Sequence, residues 1–129
     1  MRIAGYAALF DIADSAKDII RPGAFARSIH ERDRPLPLFW QHRPEQQIGA
    51  VELVREDERG LRVIARIDNP ESRAVGDLLA KRVNGLSFGY RARAFRRLPE
   101  GRVLEDIELF EVSLVTHPLQ HGARVHLVS

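Results

Sequence analysis

The five residues Gly85-Leu86-Ser87-Phe88-Gly89 are the first place in this chain where residue type and spacing could do chemistry. Their letters fit the G-x-S-x-G pattern of a nucleophile elbow, in which a strand enters the serine and a helix leaves it. Here the order is reversed: a helix-forming stretch precedes Ser87 and a strand-forming one follows. That excludes an elbow of the α/β-hydrolase kind. Strand alternation places Leu86, Phe88 and Tyr90 on one face and Gly85, Ser87 and Gly89 on the other. Ser87 then stands on a face stripped of neighbouring side chains, and such a gap admits close approach of a backbone or a substrate. The bland reading is a small strand filler, with the glycines serving strand geometry alone. These residues by themselves leave both readings open.

A serine hydroxyl is a weak nucleophile and needs a base, usually histidine, within hydrogen-bond reach. His42 directly follows the apolar run Leu36-Pro37-Leu38-Phe39-Trp40-Gln41, and Arg43-Pro44 should end that strand just beyond it. It should therefore lie at a strand mouth beside the core, as a base would, or else be a partly exposed turn residue. His30 falls on the polar end of a short helix. A base in turn wants a third group to orient it. In Ile107-Glu108-Leu109-Phe110-Glu111-Val112-Ser113-Leu114-Val115-Thr116, alternation groups Phe110, Val112 and Leu114 against Glu111 and Ser113. A carboxylate in so apolar a strand needs a partner, because an unpaired buried charge is costly. That partner is a histidine or one of the many arginines. His117, His121 and His126 cluster later, but Pro118 stops a helix from carrying His117 and His121 together. On a strand their spacing would be roughly 13 Å. No metal site and no cofactor are expected.

The elements that would position these residues are mostly strands. Period-2 patterns cover 2–10, 36–41, 47–55, 60–67, 86–97, 102–116 and 123–128. Glu56-Asp57-Glu58-Arg59-Gly60 reads as a hairpin turn. Two helices are expected, at 22–32 and 70–83. The first is opened by Pro22 and has Phe25 and Ile29 on one face. The second has Asn69 as N-cap, Pro70 at its first position, an apolar stripe of Val75, Leu78, Leu79 and Val83, and a stop at Asn84-Gly85. About seven strands, mostly in antiparallel order with flanking helices, imply a small antiparallel β-barrel or sandwich of α+β class. The expected domain organisation is one unit over 1–129.

Composition narrows the function. With 129 residues, 44% hydrophobic and 29% charged, the chain can bury a core. It has no cysteine, which removes disulfides, thiolate metal sites and cysteine nucleophiles. No apolar run approaches a membrane span, so no membrane partner is expected. The net charge is only +2, and arginines such as Arg91, Arg93, Arg96 and Arg97 alternate with acidic stretches. A small nucleic-acid-binding barrel would show a basic stripe with aromatic platforms instead.

Taken in order, Pro22-Gly23-Ala24-Phe25, Gln41-His42, Ile48-Gly49, Gly60-Leu61, Gly85-Leu86-Ser87-Phe88-Gly89-Tyr90 and Glu111-Val112-Ser113-Leu114-Val115-Thr116 resemble the prohead (capsid maturation) serine proteases of tailed bacteriophages. These are distant relatives of the herpesvirus assembly proteases, and the resemblance runs from about residue 3 to 127. It implies a herpesvirus-protease-like β-barrel flanked by helices. It implies a serine endopeptidase that cuts scaffolding segments from the major capsid protein, and itself, inside the immature procapsid in the host cytoplasm. It also implies a homodimer. Residue by residue, Ser87 matches the nucleophile, His42 the base and Glu111 the third member. The herpesvirus branch has a second histidine in that role, for which His117 is the alternative here. Arg124 is the candidate to assist a backbone amide at the oxyanion. After Thr116 the family pattern is close to x-Pro-Ala-Asn, whereas this chain has His117-Pro118-Leu119-Gln120. The competing reading is a catalytically silent capsid-assembly module that keeps the fold.

Overall fold

The computed structural model describes residues Met1–Ser129. Eight strands and two short helices follow in the order β1 (Arg2–Leu9), β2 (Asp18–Ile20), α1 (Ala26–Glu31), β3 (Pro37–Trp40), β4 (Arg43–Glu56), β5 (Gly60–Ile67), α2 (Arg73–Leu79), β6 (Gly85–Leu98), β7 (Gly101–Val115) and β8 (Val125–Val128). They form one sheet in the order β2-β7-β3-β4-β5-β1-β8, with β6 paired to β7. The mostly-β expectation holds, and three features differ from it. β2 is an extra strand, too short to show a period. β7 pairs in parallel with both β2 and β3, so the sheet is mixed. The sheet also does not close into a barrel. At the would-be seam only an isolated bridge, Gly85↔Arg124, joins β6 to the lead-in of β8. Backbone bonds from Leu86 N to Ala123 O and from Val125 N to Asn84 O flank it.

β7 organises the molecule. One edge carries β6 along its length; the other carries β2 at residues 102–104 and β3 at residues 112–114. α1 and the turns before it cover the stretch between them: Ala24 O accepts from Ile107 N and Ser28 Oγ accepts from Leu109 N. Leu86, Phe88, Leu104, Ile107, Leu109, Val112 and Leu114 turn into a single apolar cluster with Phe25, Leu38 and Leu61. Phe25 packs edge-on against Phe88 at 5.3 Å. Burying side chains of this size stabilises by roughly 1.5–3 kcal/mol each.

Both helices are shorter than the sequence pattern suggests. Pro22–Phe25 form turns rather than helix. There the Glu56 carboxylate accepts from the amides of Gly23 and Phe25, doing from β4 what a local cap would do. In α2 the cap is Ser72, which accepts from Val75 N, while Asn69 accepts from Glu71 N in the preceding turn. α2 ends at Leu79, before the predicted stop, because Lys81 already takes a left-handed conformation with φ 61°. Leu79, expected on the apolar stripe, is exposed, whereas Val75, Leu78 and Val83 are buried. No helix is long and apolar enough to cross a membrane.

Candidate active site

β6 and β7 fix half of the candidate site by register alone. Ser87 is directly opposite Ser113, and Gly89 is directly opposite Glu111. In an antiparallel pair, opposite residues share a face, so Ser87, Ser113 and Glu111 project together. The glycines beside Ser87 serve this arrangement in a way the sequence did not suggest. A Cβ on Gly89 would lie 2.5 Å from Glu111 Oε1, and one on Gly85 would lie 2.7 Å from the Pro118 ring. The space is cleared for the glutamate and the proline, not left open. Ser87 is accordingly 2% exposed, and its Oγ is buried with no hydrogen-bond partner.

Glu111 is also buried, as an apolar strand context implies. The simple alternation expected for β7 breaks at Phe110. A register shift at Gly89/Tyr90 pairs Gly89 with Glu111 but Tyr90 with Leu109. Phe110 is the residue left over, and it points outward, away from the face of Val112 and Leu114. No arginine reaches Glu111. Its Oε1 lies 2.5 Å from His42 Nδ1, and its Oε2 accepts from Ser113 Oγ at 2.6 Å.

His42 arrives from the other side of β7. Trp40 pairs with Arg43, so Gln41-His42 is a two-residue hairpin loop between β3 and β4. The strand was expected to end at Arg43-Pro44. Instead β4 starts there and runs through Pro44, at a register shift where residues 44–46 have no partner on β3, so the missing N–H of Pro44 is harmless. Both loop residues have positive φ, 53° at Gln41 and 60° at His42. Tight hairpins want such angles, usually from glycine or asparagine. Elsewhere these angles cost on the order of 1–3 kcal/mol per residue and tend to persist where surrounding contacts enforce them. Here Gln41 N donates to Leu114 O, the Gln41 side chain exchanges two hydrogen bonds with Thr116, and His42 N donates to Ser113 Oγ.

The structure therefore brings His42 and Glu111 into contact and sets Ser87 on the same face. His42 and Ser87 do not hydrogen-bond directly. With Nδ1 engaged by Glu111, Nε2 is the ring nitrogen left for another partner. His117 is exposed beyond the end of β7. The Arg124 guanidinium donates to His121 O and Asn84 Oδ1, while its backbone bridges Gly85 on the serine's own strand. Ser113 is a member of the cluster that the sequence pattern grouped with Glu111 without giving it a task. The largest surface groove, about 600 Å³ between the end of α1 and β4, contains none of these residues.

The mixed β-sheet with its helical flanks is a fold that recurs among solved protease structures. The KSHV protease bound to a hexapeptide phosphonate inhibitor superposes with TM-score 0.69 at 14% identity, over 96% of this chain and 63% of that one. The bacteriophage T4 capsid assembly protease gives TM-score 0.71 at 13% identity, over 91% and 82%. Varicella-zoster virus protease gives 0.65 at 17%, over 97% and 62%. By sequence, the model of the caudovirus prohead serine proteases matches residues 1–129, and the chain belongs to that family. It is 33% identical to the prohead protease of Enterobacteria phage HK97, over 94% of this chain and 57% of that protein. It is 26% identical to the capsid polyprotein of Pseudomonas phage PAJU2, over 87% of this chain and 18% of that protein. The chain thus spans little more than half the length of the first of these relatives.

Proposed function

We propose that this chain is a serine endopeptidase that processes capsid protein during procapsid maturation. The observation that carries the reading is the His42–Glu111 contact on the face that also holds Ser87. In the proposed mechanism, Ser87 Oγ attacks the scissile carbonyl carbon while His42 Nε2 takes its proton. The tetrahedral intermediate collapses by breaking the C–N bond, and His42 returns the proton to the departing amine. Water, activated by the same nitrogen, then hydrolyses the acyl ester and restores Ser87. Glu111 holds the tautomer with the proton on Nδ1 and stabilises the imidazolium. A positioned base of this kind contributes about 10²–10⁴-fold. An unpartnered buried hydroxyl suits a nucleophile whose acceptor is engaged only when substrate is in place, since hydrogen bonds in free enzymes are often loose. Arg124, tied by its backbone to β6, is the residue we assign to assist at the oxyanion.

Family membership supports the substrate: the capsid protein with its scaffolding segment, met inside the immature procapsid. Self-association as a homodimer belongs to the same reading and is measured by light scattering. The intact His42, Ser87 and Glu111 set favours an enzyme over a silent assembly module of the same fold. The deciding experiment co-expresses the capsid protein with wild-type chain or Ser87→Ala and weighs the products by mass spectrometry. We expect truncated capsid protein only with the wild type, since losing such a nucleophile costs on the order of 10⁶-fold in turnover. Equal truncation by a folded Ser87→Ala protein would end the serine mechanism.

A further inference from the structure

Ser113 is fully buried, stands opposite Ser87 across the β6–β7 ladder, and is bonded to both other members of the proposed triad. Its hydroxyl donates to Glu111 Oε2 at 2.6 Å and accepts from the His42 backbone N–H at 3.2 Å. We infer that Ser113 is a positioning residue for the peptidase reaction: one hydroxyl fixes both the rotation of the Glu111 carboxylate and the left-handed backbone of His42. The inference rests on the triad reading above and goes a step beyond it.

Two constraints make this more than incidental packing. A carboxylate on a flexible side chain can rotate, and only one of its oxygens is needed by His42. With Oε2 pinned by Ser113, Oε1 is the oxygen presented to Nδ1. The second constraint concerns the backbone. His42 is a non-glycine residue with φ 60°, on a loop whose other residue is clamped to β7 through Leu114 O and Thr116. The His42 N–H would otherwise have no acceptor there among the hydrogen bonds of the loop. Ser113 supplies one, so the strained turn and the carboxylate share a single anchor. An alanine would leave both a buried carboxylate oxygen and an amide unsatisfied. Ser113 lies on the face opposite the core side chains Val112 and Leu114, so its hydroxyl is not a by-product of core packing.

The test compares Ser113→Ala and Ser113→Cys with wild type, using a capsid-derived peptide under steady-state conditions and NMR of the His42 ring. Loss of alignment should lower kcat on the order of 10²-fold, the effect of a displacement near 1 Å at a reacting group, with KM little changed. The downfield Nδ1–H signal of the His42–Glu111 bond should broaden or move upfield in Ser113→Ala. The thiol is close in volume but a weaker donor, so Ser113→Cys should fall between the two. If Ser113→Ala does not fold, Ser113→Cys alone decides, by the same kcat and NMR readings. Wild-type kcat and an unshifted Nδ1–H in a folded variant overturn the inference. So does a rise in KM with kcat intact, which would place Ser113 in substrate binding. Failure of the triad reading looks different: Ser87→Ala would then keep its activity, whatever Ser113 does.

Discussion

Two buried carboxylates lie at opposite ends of β7, Asp18 on the paired β2 and Glu111 on β7 itself, and their surroundings differ. Asp18, on the β2 strand that pairs with residues 102–104, accepts two bonds from the Arg102 guanidinium, at 3.0 and 2.8 Å, and one from Tyr90 OH at 3.2 Å. Glu111, toward the other end of β7, has no arginine partner; its partners are His42 and Ser113. Arg102 is a permanent cation, so the first cluster has one charge state across the ordinary pH range. The second cluster sets its carboxylate against an imidazole, the group that takes and returns the proton in the proposed mechanism. On this reading the acid held by arginine is a strut, and the proposed mechanism gives the one held by the His42 Nδ1 the task of stabilising a transient cation on the ring.

The contrast is broken most directly by removing each charge in turn. Glu111→Gln keeps the shape but favours the wrong imidazole tautomer, and we expect kcat to fall by on the order of 10⁴-fold. The melting temperature should change little, because an amide can still bond Ser113. A kcat within a few-fold of wild type would show that Glu111 is no more than another strut.

Asp18→Asn should do the reverse. It loses bonds to a charged partner and should destabilise the fold by about 2–3 kcal/mol, read by chemical denaturation, with kcat per folded molecule unchanged. The bonds from Arg102 hold the Asp18 carboxyl below its usual range, outweighing the opposing effect of burial, with the Arg102 charge and Tyr90 adding to the shift. A depressed folded value contributes stability that is present above the unfolded value, about 3.9, and is lost as pH falls through the folded one. Wild type should therefore lose stability on acidification below about pH 4 more steeply than Asp18→Asn. Parallel acid limbs for the two proteins would contradict the assignment.

The two carboxylates were not equally legible in the sequence. Glu111 sits in an apolar alternating strand, so its need for a partner could be read from its neighbours, and so could the candidacy of His42 beyond the Leu36–Gln41 run. Nothing local marks Asp18, because β2 is three residues long and its partner Arg102 lies across a parallel pairing. Ser113 was invisible as an anchor for the same reason. Its bond from His42 depends on β3 lying beside β7, and alternation within a strand carries no information about which strand comes next. The helix limits slipped because tertiary contacts replaced local signals: Glu56 caps the turns at Gly23 and Phe25 from another strand, and Lys81 ends α2 early. Closure into a barrel was an inference from strand number, and it failed where β6 meets the β8 lead-in by a single bridge.

Gly89 sharpens the comparison without touching a charge. A Cβ at this position would meet Glu111 Oε1 at 2.5 Å, so Gly89→Ala must displace the carboxylate from His42. We expect kcat to drop on the order of 10²-fold. Gly76 in α2 is the control, because a Cβ there meets nothing within 4 Å. Gly76→Ala should leave kcat alone and raise stability by about 0.5–1 kcal/mol through helix propensity. Equal kinetics for the two alanine variants would mean that Glu111 relocates freely and its precise placement is unimportant.

The smallest effect is expected at the strut, from Tyr90→Phe. Burial, reinforced by the Asp18 charge and the bond to it, pushes the Tyr90 phenol up to about 12. The raised value means that the folded state favours the protonated phenol. In the unfolded chain the same group ionises near 10. Below that pH its contribution is fully present. Between about 10 and about 12 the unfolded state gains a charge that the folded state resists, and the contribution is lost as pH rises through the folded value. Phenylalanine removes both the ramp and the hydrogen bond to Asp18, at a cost of about 1 kcal/mol near neutrality. Every other titrating group is common to the two proteins, so their difference isolates Tyr90. Denaturation at about pH 8 should show the full gap between wild type and Tyr90→Phe, and at about pH 11 a narrower one. Peptidase activity at neutral pH should be the same in both, because this cluster touches neither His42 nor Ser87. A gap of constant width would mean that Tyr90 ionises as freely in the fold as in water, and an activity loss would mean that the two ends of β7 are coupled.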